Sequence, residues 1–189
     1  ETEFGIREFS FDANRGFFVN GVPTKIKGVC CHQDHAGVGT ALPDALQEYR
    51  IRLLKEMGAN AYRCSHNPPS PYLLTVCDRL GMLVMDENRL LSSGRENAGQ
   101  MERLVRRDRN HASVFLWSIG NEEAGVQESE IGEKIARTMT RICRKLDDTR
   151  LTTYAGNNGE SFSGCNGVVA VRGWNYYKIG GIEAVDRYH

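Results

Sequence analysis

From Ile26 onward, short apolar runs alternate with amphipathic segments, and few architectures accept that alternation. The runs at residues 26–31, 60–64, 82–85, 114–119, 151–154 and 168–171 read as strands. Residues 43–57 place Leu46, Tyr49, Leu53 and Met57 on one helical face before a stop at Gly58. Residues 71–80 form a second helix stopped by Gly81, and 101–107 a shorter third. In the fourth, Ile131, Ile135, Met139, Ile142 and Leu146 recur at helical spacing behind a Ser129 cap. Strands separated by helices imply parallel βαβ units, in a doubly wound sheet or a barrel. The stretch ahead, residues 4–27, has a different period. Phe9, Phe11, Phe17 and Val19 suit half-buried strand positions, and Asn20-Gly21 predicts a tight hairpin.

The polar residues decide between sheet and barrel. His32-Gln33-Asp34-His35 follows the first strand of the alternating region, and Arg63 to Pro69 follows the second. Asp86-Glu87-Asn88, Asn121-Glu122-Glu123 and Trp174-Asn175-Tyr176-Tyr177 follow the third, fourth and sixth. A barrel gathers the loops after its strands on one rim, where its active site lies. A doubly wound sheet often carries a glycine-rich phosphate loop, and no G-x-G-x-x-G follows a strand here. The expected fold is therefore an α/β, (β/α)8 TIM barrel. About six strands can be counted, so it is expected to be truncated after strand six. Residues 1–24 are expected to form a junction hairpin leading from a β-sandwich domain, and 25–189 the partial barrel.

Composition narrows the partners. Lysine plus arginine equals aspartate plus glutamate at 24 each, so no global field favours nucleic acid or an acidic partner. No apolar run is long enough to span a bilayer. The first residues lack a signal-peptide pattern, and the chain starts without Met, which leaves cytoplasmic and periplasmic or secreted bacterial locations open. The six cysteines form no C-x-x-C pair, and they read mostly as reduced core thiols. Cys30, Cys31, His32, His35 and His66 invite a zinc reading. Adjacent strand residues point to opposite faces, which argues against convergent ligands. A Cys64–His66 nucleophile pair lacks any group that would activate the thiol.

Histidine, arginine, asparagine, glutamate and tyrosine at five strand ends suit cleavage of a glycosidic bond. That reaction needs one carboxylic acid to protonate the leaving oxygen and a carboxylate on the other face of the sugar. Trp174 offers an apolar platform for a sugar's C–H face. Trp117 suits either the barrel interior or a sugar subsite. Asp86 and Glu87 suit either a structural role with Arg63 or, for Glu87, a substrate-facing one.

Three ordered segments carry a resemblance. They are Asn60-Ala61-Tyr62-Arg63-Cys64-Ser65-His66-Asn67-Pro68, then residues 77–87, then Arg107-Asp108-Arg109-Asn110-His111 running on to Trp117-Ser118-Ile119-Gly120-Asn121-Glu122. Together they resemble the barrel domain of glycoside hydrolase family 2, most closely its β-galactosidases, over residues 4–177. The resemblance implies a retaining hydrolase of terminal β-D-galactosides. Glu122 would be its acid/base, and Asn121 would bond the sugar's 2-hydroxyl. It also implies substrate contacts for His35 and His66, a place for Arg63 near the nucleophile, and the same for Tyr176, whose alignment competes with Tyr177.

Two departures from the family bear on the chemistry. Some β-galactosidases hold Mg²⁺ through a Glu and a His after strand three. Leu91 and Ser93 stand there and cannot replace such ligands, so no metal or cofactor is expected. The family's nucleophilic Glu follows strand seven and is expected beyond His189, so neither Glu160 nor Glu183 is assigned that role, and the chain alone is expected to be inactive. The expected partner is a β-galactoside, with a homo-oligomer left open. The alternatives are a β-glucuronidase or β-mannosidase of the same family, a non-catalytic carbohydrate-binding fragment, or a zinc hydrolase.

Overall fold

A computed structural model of the chain describes residues 3–157 and 162–176. Glu160, Tyr177 and Glu183 lie outside the described residues. The chain divides into two compact units, one running to Glu87 with Arg107–Phe115 added, the other holding Asn88–Arg106 and the described residues from Leu116 on.

The first unit opens with an antiparallel sheet of β1 (Phe9–Asp12), β2 (Gly16–Val19) and β3 (Val22–Pro23). Asn20 and Gly21 take φ of 51° and 75°, the pair of left-handed residues that a two-residue hairpin turn requires. Phe9, Phe11 and Phe17 gather their rings against Phe115, the closest centroid 5.3 Å away. This face is the hydrophobic seal of the unit. Beside it run three parallel strands in chain order, β4 (Gly28–His32), β5 (Ala61–Ser65) and β6 (Leu83–Glu87).

Helices α1 (Asp44–Glu56) and α2 (Pro71–Leu80) connect these strands. The Ser70 hydroxyl accepts from the Tyr72 amide to start α2, and Gly81 at φ 65° ends it. Leu73, Leu74, Val76 and Cys77 are its buried positions. Burying each such aliphatic side chain contributes about 1.5–3 kcal/mol. The expected face of α1 is not the buried one. Gln47 and Ile51 are buried, while Tyr49, Leu53 and Met57 stay exposed. Gln47 can turn inward because its amide donates to the Leu42 carbonyl.

The second unit has parallel strands in chain order, the part of β7 (Val114–Asn121) from Leu116 on, β8 (Leu151–Gly156) and β9 (Val171–Trp174). Helix α3 (Arg95–Asp108) begins six residues before the expected start at 101. Gly99 inside it costs helix propensity and hides that first turn from pattern reading. Helix α4 (Glu130–Leu146) starts on Ser129, whose hydroxyl accepts from the Gly132 amide. Its buried stripe is Gly132, Ala136, Met139 and Cys143, and Ile131 is exposed. The helix meets backbone there, since a Cβ on Gly132 would stand 2.1 Å from the Val126 carbonyl oxygen. A 3-10 turn, Gly164–Gly167, joins β8 to β9, and β9 begins three residues later than the predicted 168. No described helix is long and apolar enough to cross a membrane.

Candidate active site

The end of β7 is where the second unit concentrates polar chemistry. Gly120 comes so close to its neighbours that a Cβ there would stand 3.1 Å from the Leu91 Cβ and 3.4 Å from the Tyr154 ring. Only glycine lets the strand run through that gap. Asn121 is still a strand residue, paired with Ala155, where the sequence placed it in the loop. Glu122 then turns left-handed at φ 47°, a conformation costly for a residue with a side chain. Its amide is held by the Ala155 carbonyl at 3.0 Å, and its carbonyl accepts from Ala124 at 2.9 Å.

Three donors converge on the Glu122 carboxylate. The Tyr176 hydroxyl donates to Oε2 at 3.1 Å, and Asn157 Nδ2 points at the same oxygen from 3.4 Å. Asn175 Nδ2 donates to Oε1 and also to the Asn121 side-chain oxygen, at 3.0 Å for the latter. Tyr176 is itself left-handed, at φ 63°. Two unfavourable backbone conformations thus bring these two side chains together. The hydrogen bond to Glu122 pushes the Tyr176 phenol above its ordinary range and keeps it a donor. Glu122, Asn121 and Tyr176 were expected at a site. Asn157 was not, and Asn175 was placed only in the polar segment after the sixth strand, with no role of its own.

Trp174 follows Gly173 at the end of β9. Its ring meets Phe162 edge-on at 6.2 Å. Arg172, two residues earlier on β9 and so on the same strand face as Trp174, bonds the Asn166 carbonyl in the 3-10 turn and covers the Phe162 ring. Trp117 was expected either in the barrel interior or at a sugar subsite. It is fully buried, and its indole donates to Asp147, the cap residue of α4, at 3.0 Å, with Arg150 over the ring. Leu91, which the sequence resemblance set where some β-galactosidases are expected to carry a metal ligand, is an apolar core residue 5% exposed, beside Gly120.

The first unit contains a second cluster. Glu87, wholly buried, accepts from Arg63 Nε at 2.8 Å and from Arg63 Nη2 at 2.7 Å, a forked charge-assisted pair. Its other oxygen meets His66 Nδ1 at 2.6 Å. A carboxylate at that distance draws the proton onto Nδ1 and leaves Nε2 as the ring nitrogen that can meet a hydroxyl. The His32 ring stands edge-on to His66 at 5.2 Å. Glu87 is therefore the common partner of Arg63 and His66, with no exposed surface of its own. His35 sits apart, in a turn closed by bonds between His35 and Gly39, with Nδ1 against the Ala36 carbonyl.

None of the six cysteines forms a disulfide. Burial pushes Cys64 well above the ordinary thiol range, the opposite of what a nucleophile needs. Cys30 accepts from Arg63 Nη1 at 3.4 Å, whereas Cys31 lines a cavity of about 340 Å³ with Tyr62 and Cys64 on the other side of the sheet. Among the described residues no group of three or more His, Cys, Asp or Glu side chains could hold a metal ion.

The chain is similar to known proteins. The family model for glycosyl hydrolases family 2, TIM barrel domain, matches residues 13–102 and 92–181. The beta-galactosidase BoGH2A of Bacteroides ovatus is 36% identical over 220 residues, covering 93% of this chain and 26% of the relative. A beta-glucuronidase of Bacteroides fragilis is 31% identical, covering 92% of this chain and 26% of the relative. Among solved structures, a glycosyl hydrolase family 2 member from Bacteroides cellulosilyticus superimposes with a TM-score of 0.85 at 39% identity, over 92% of this chain and 24% of that one. A Parabacteroides merdae beta-glucuronidase gives a TM-score of 0.77 at 29% identity, over 91% of this chain and 23% of that one. The chain spans about a quarter of the length of these relatives.

Proposed function

Because the chain belongs to glycosyl hydrolase family 2 through its TIM-barrel domain, we propose that it carries the acid/base centre of a retaining β-galactosidase, with Glu122 as the proton donor. The observation that carries this reading is the Glu122 carboxylate, held at the end of β7 by three side-chain donors on a left-handed backbone. A carboxyl group so placed can give its proton to the glycosidic oxygen as the bond to the sugar's anomeric carbon breaks. A second carboxylate captures that carbon from the opposite face. Glu122, now ionised, takes a proton from water, and the oxygen of that water releases the sugar with its original configuration.

On the same reading, Asn121 and Asn175 present amides to the sugar side of Glu122. His66 meets a ring hydroxyl through Nε2, with Glu87 fixing its tautomer. Arg63 and Tyr176 supply positive charge and a hydroxyl near the reacting carbon, and His35 contacts substrate from its loop. Trp174 is retained as a sugar platform only if its ring turns away from Phe162. The metal ligands of some relatives are replaced by Leu91 and Ser93, so no step requires Mg²⁺.

Relatives named for β-glucuronide cleavage favour a second reading, in which the sugar carries a carboxylate. The two separate in one experiment on the complete natural polypeptide. Its kcat/KM is measured on 4-nitrophenyl β-galactoside and β-glucuronide, and the anomer first released is read by proton NMR. A galactoside preference with release of the β-anomer is expected. A glucuronide preference would replace the galactoside assignment, and initial release of the α-anomer would end the retaining one.

A further inference from the structure

A hydrogen-bonded chain of amides and one phenol leaves the Glu122 carboxylate and returns to the next residue. Asn157 Nδ2 faces Glu122 Oε2, and Asn157 Oδ1 accepts from Gln127 Nε2 at 2.6 Å. Gln127 Oε1 accepts from the Tyr154 hydroxyl at 3.1 Å. The Tyr154 oxygen in turn accepts from the Glu123 amide at 2.9 Å. Gln127 is 3% exposed and Tyr154 wholly buried, whereas Asn157 is exposed.

Each link fixes the polarity of the next. A backbone N–H can only donate, so the Tyr154 oxygen must accept from Glu123 and its hydrogen is left for Gln127. Burial pushes the Tyr154 phenol far above its ordinary range, so that hydrogen stays in place. Gln127 must then turn its oxygen to Tyr154 and its NH2 to Asn157. Asn157 must turn its oxygen to Gln127, which leaves an N–H as the atom presented to Glu122. A freely rotating amide would offer donor or acceptor according to the state of Glu122. This one offers a donor, which favours the ionised carboxylate.

We propose that Gln127 is a positioning residue for the acid/base: it touches neither Glu122 nor substrate, and it sets which end of the Asn157 amide Glu122 meets. The consequence is a bias on proton occupancy. An N–H fixed at that oxygen pairs with the carboxylate that must activate water and offers no acceptor to the O–H of the acid that must cleave the bond. This inference rests on the reading of Glu122 as acid/base.

The test is Gln127→Glu in the complete natural polypeptide. One carboxylate oxygen keeps the Tyr154 hydroxyl, and the other becomes an acceptor facing Asn157. The Asn157 amide then reverses and turns its oxygen to Glu122. The basic limb of kcat/KM should move to higher pH, by about one unit. In an Asn157→Ala background the same substitution should move nothing, because the messenger is gone. A limb that stays in place in a folded Gln127→Glu protein overturns the proposal. So does a shift that survives Asn157→Ala, because it would come from the new charge alone. If Gln127→Glu fails to fold, Asn157→Asp puts an acceptor against Glu122 from an exposed position, and an unmoved basic limb in that variant overturns the proposal equally. Loss of all activity in Glu122→Gln with unmoved limbs in the others would retain the acid/base and remove only Gln127's role.

Discussion

Replacing Asp86 with asparagine should stabilise the protein at neutral pH and leave it unchanged near pH 4. Asp86 and Asp108 are both wholly buried. Arg107 forks onto Asp108 at 2.6 and 2.7 Å and leaves Asp86 without that counter-charge at hand. Among the described residues no side-chain donor meets either oxygen of Asp86, and the Glu87 amide gives it only minor support. Burial first, and then the charge of Asp108, holds the Asp86 carboxyl far above the usual carboxylate range. A protonated Asp86 can donate to Asp108, and the asparagine NH2 can do the same in nearly the same volume. The sign follows from linkage. The unfolded chain releases the Asp86 proton above about pH 3.9, whereas the folded chain keeps it, so wild-type stability falls as pH rises from there toward the folded pKa. Asparagine has no proton to release. The variant's advantage should therefore grow by up to about 1.4 kcal/mol per pH unit until Asp86 ionises in the fold. For a domain of this size each kcal/mol raises Tm by about 2–4 °C. Calorimetric Tm differences between variant and wild type, taken from pH 4 to 8, measure the slope. A variant less stable than wild type at pH 7, with a gap that ignores pH, would refute the reasoning by showing Asp86 ionised in the fold.

Two further outcomes are expected. Glu87→Gln removes the buried counter-ion of Arg63 and turns an NH2 toward His66 Nδ1, so it should cost about 3 kcal/mol of stability and raise KM, read by calorimetry and steady-state kinetics. Chelator titration followed by added Mg²⁺ should leave turnover unchanged if, as the sequence resemblance implies, Leu91 and Ser93 stand at the ligand positions; loss on chelation with recovery on Mg²⁺ would contradict that.

What could be read from the sequence depended on range. Local signals were legible: Asn20-Gly21 made the hairpin, Gly81 ended α2, and Ser129 began α4. Faces were not. In α1 the apolar Tyr49 and Leu53 lie outward while Gln47 and Ile51 are buried, because a polar residue with a nearby carbonyl can take a buried position. In α4 the stripe follows small residues that allow close backbone approach, where pattern reading follows the largest apolar ones. At the site, Asn121 and Glu122 stood in one short ordered motif. Asn157, Asn175 and Gln127 carried no such signature. Their partners lie 27 to 54 residues away, and an amide looks the same in sequence whether it is solvated or holds a carboxylate.

The claim that Glu122 is the acid/base meets its most direct test in Glu122→Ala with added azide, on the complete natural polypeptide and a 2,4-dinitrophenyl β-glycoside. That leaving group needs no proton, so the sugar should still be transferred to the nucleophile, and turnover should stall because no base activates water. Azide needs no deprotonation, attacks the anomeric carbon of the intermediate and displaces the nucleophile's carboxylate. The account predicts that azide restores turnover with a β-glycosyl azide as product, while cleavage of a lactose-like substrate stays about 10²–10⁴-fold below wild type. A variant that azide leaves unchanged, and that loses the activated and natural substrates in equal measure, would show that Glu122 neither gives nor takes the proton.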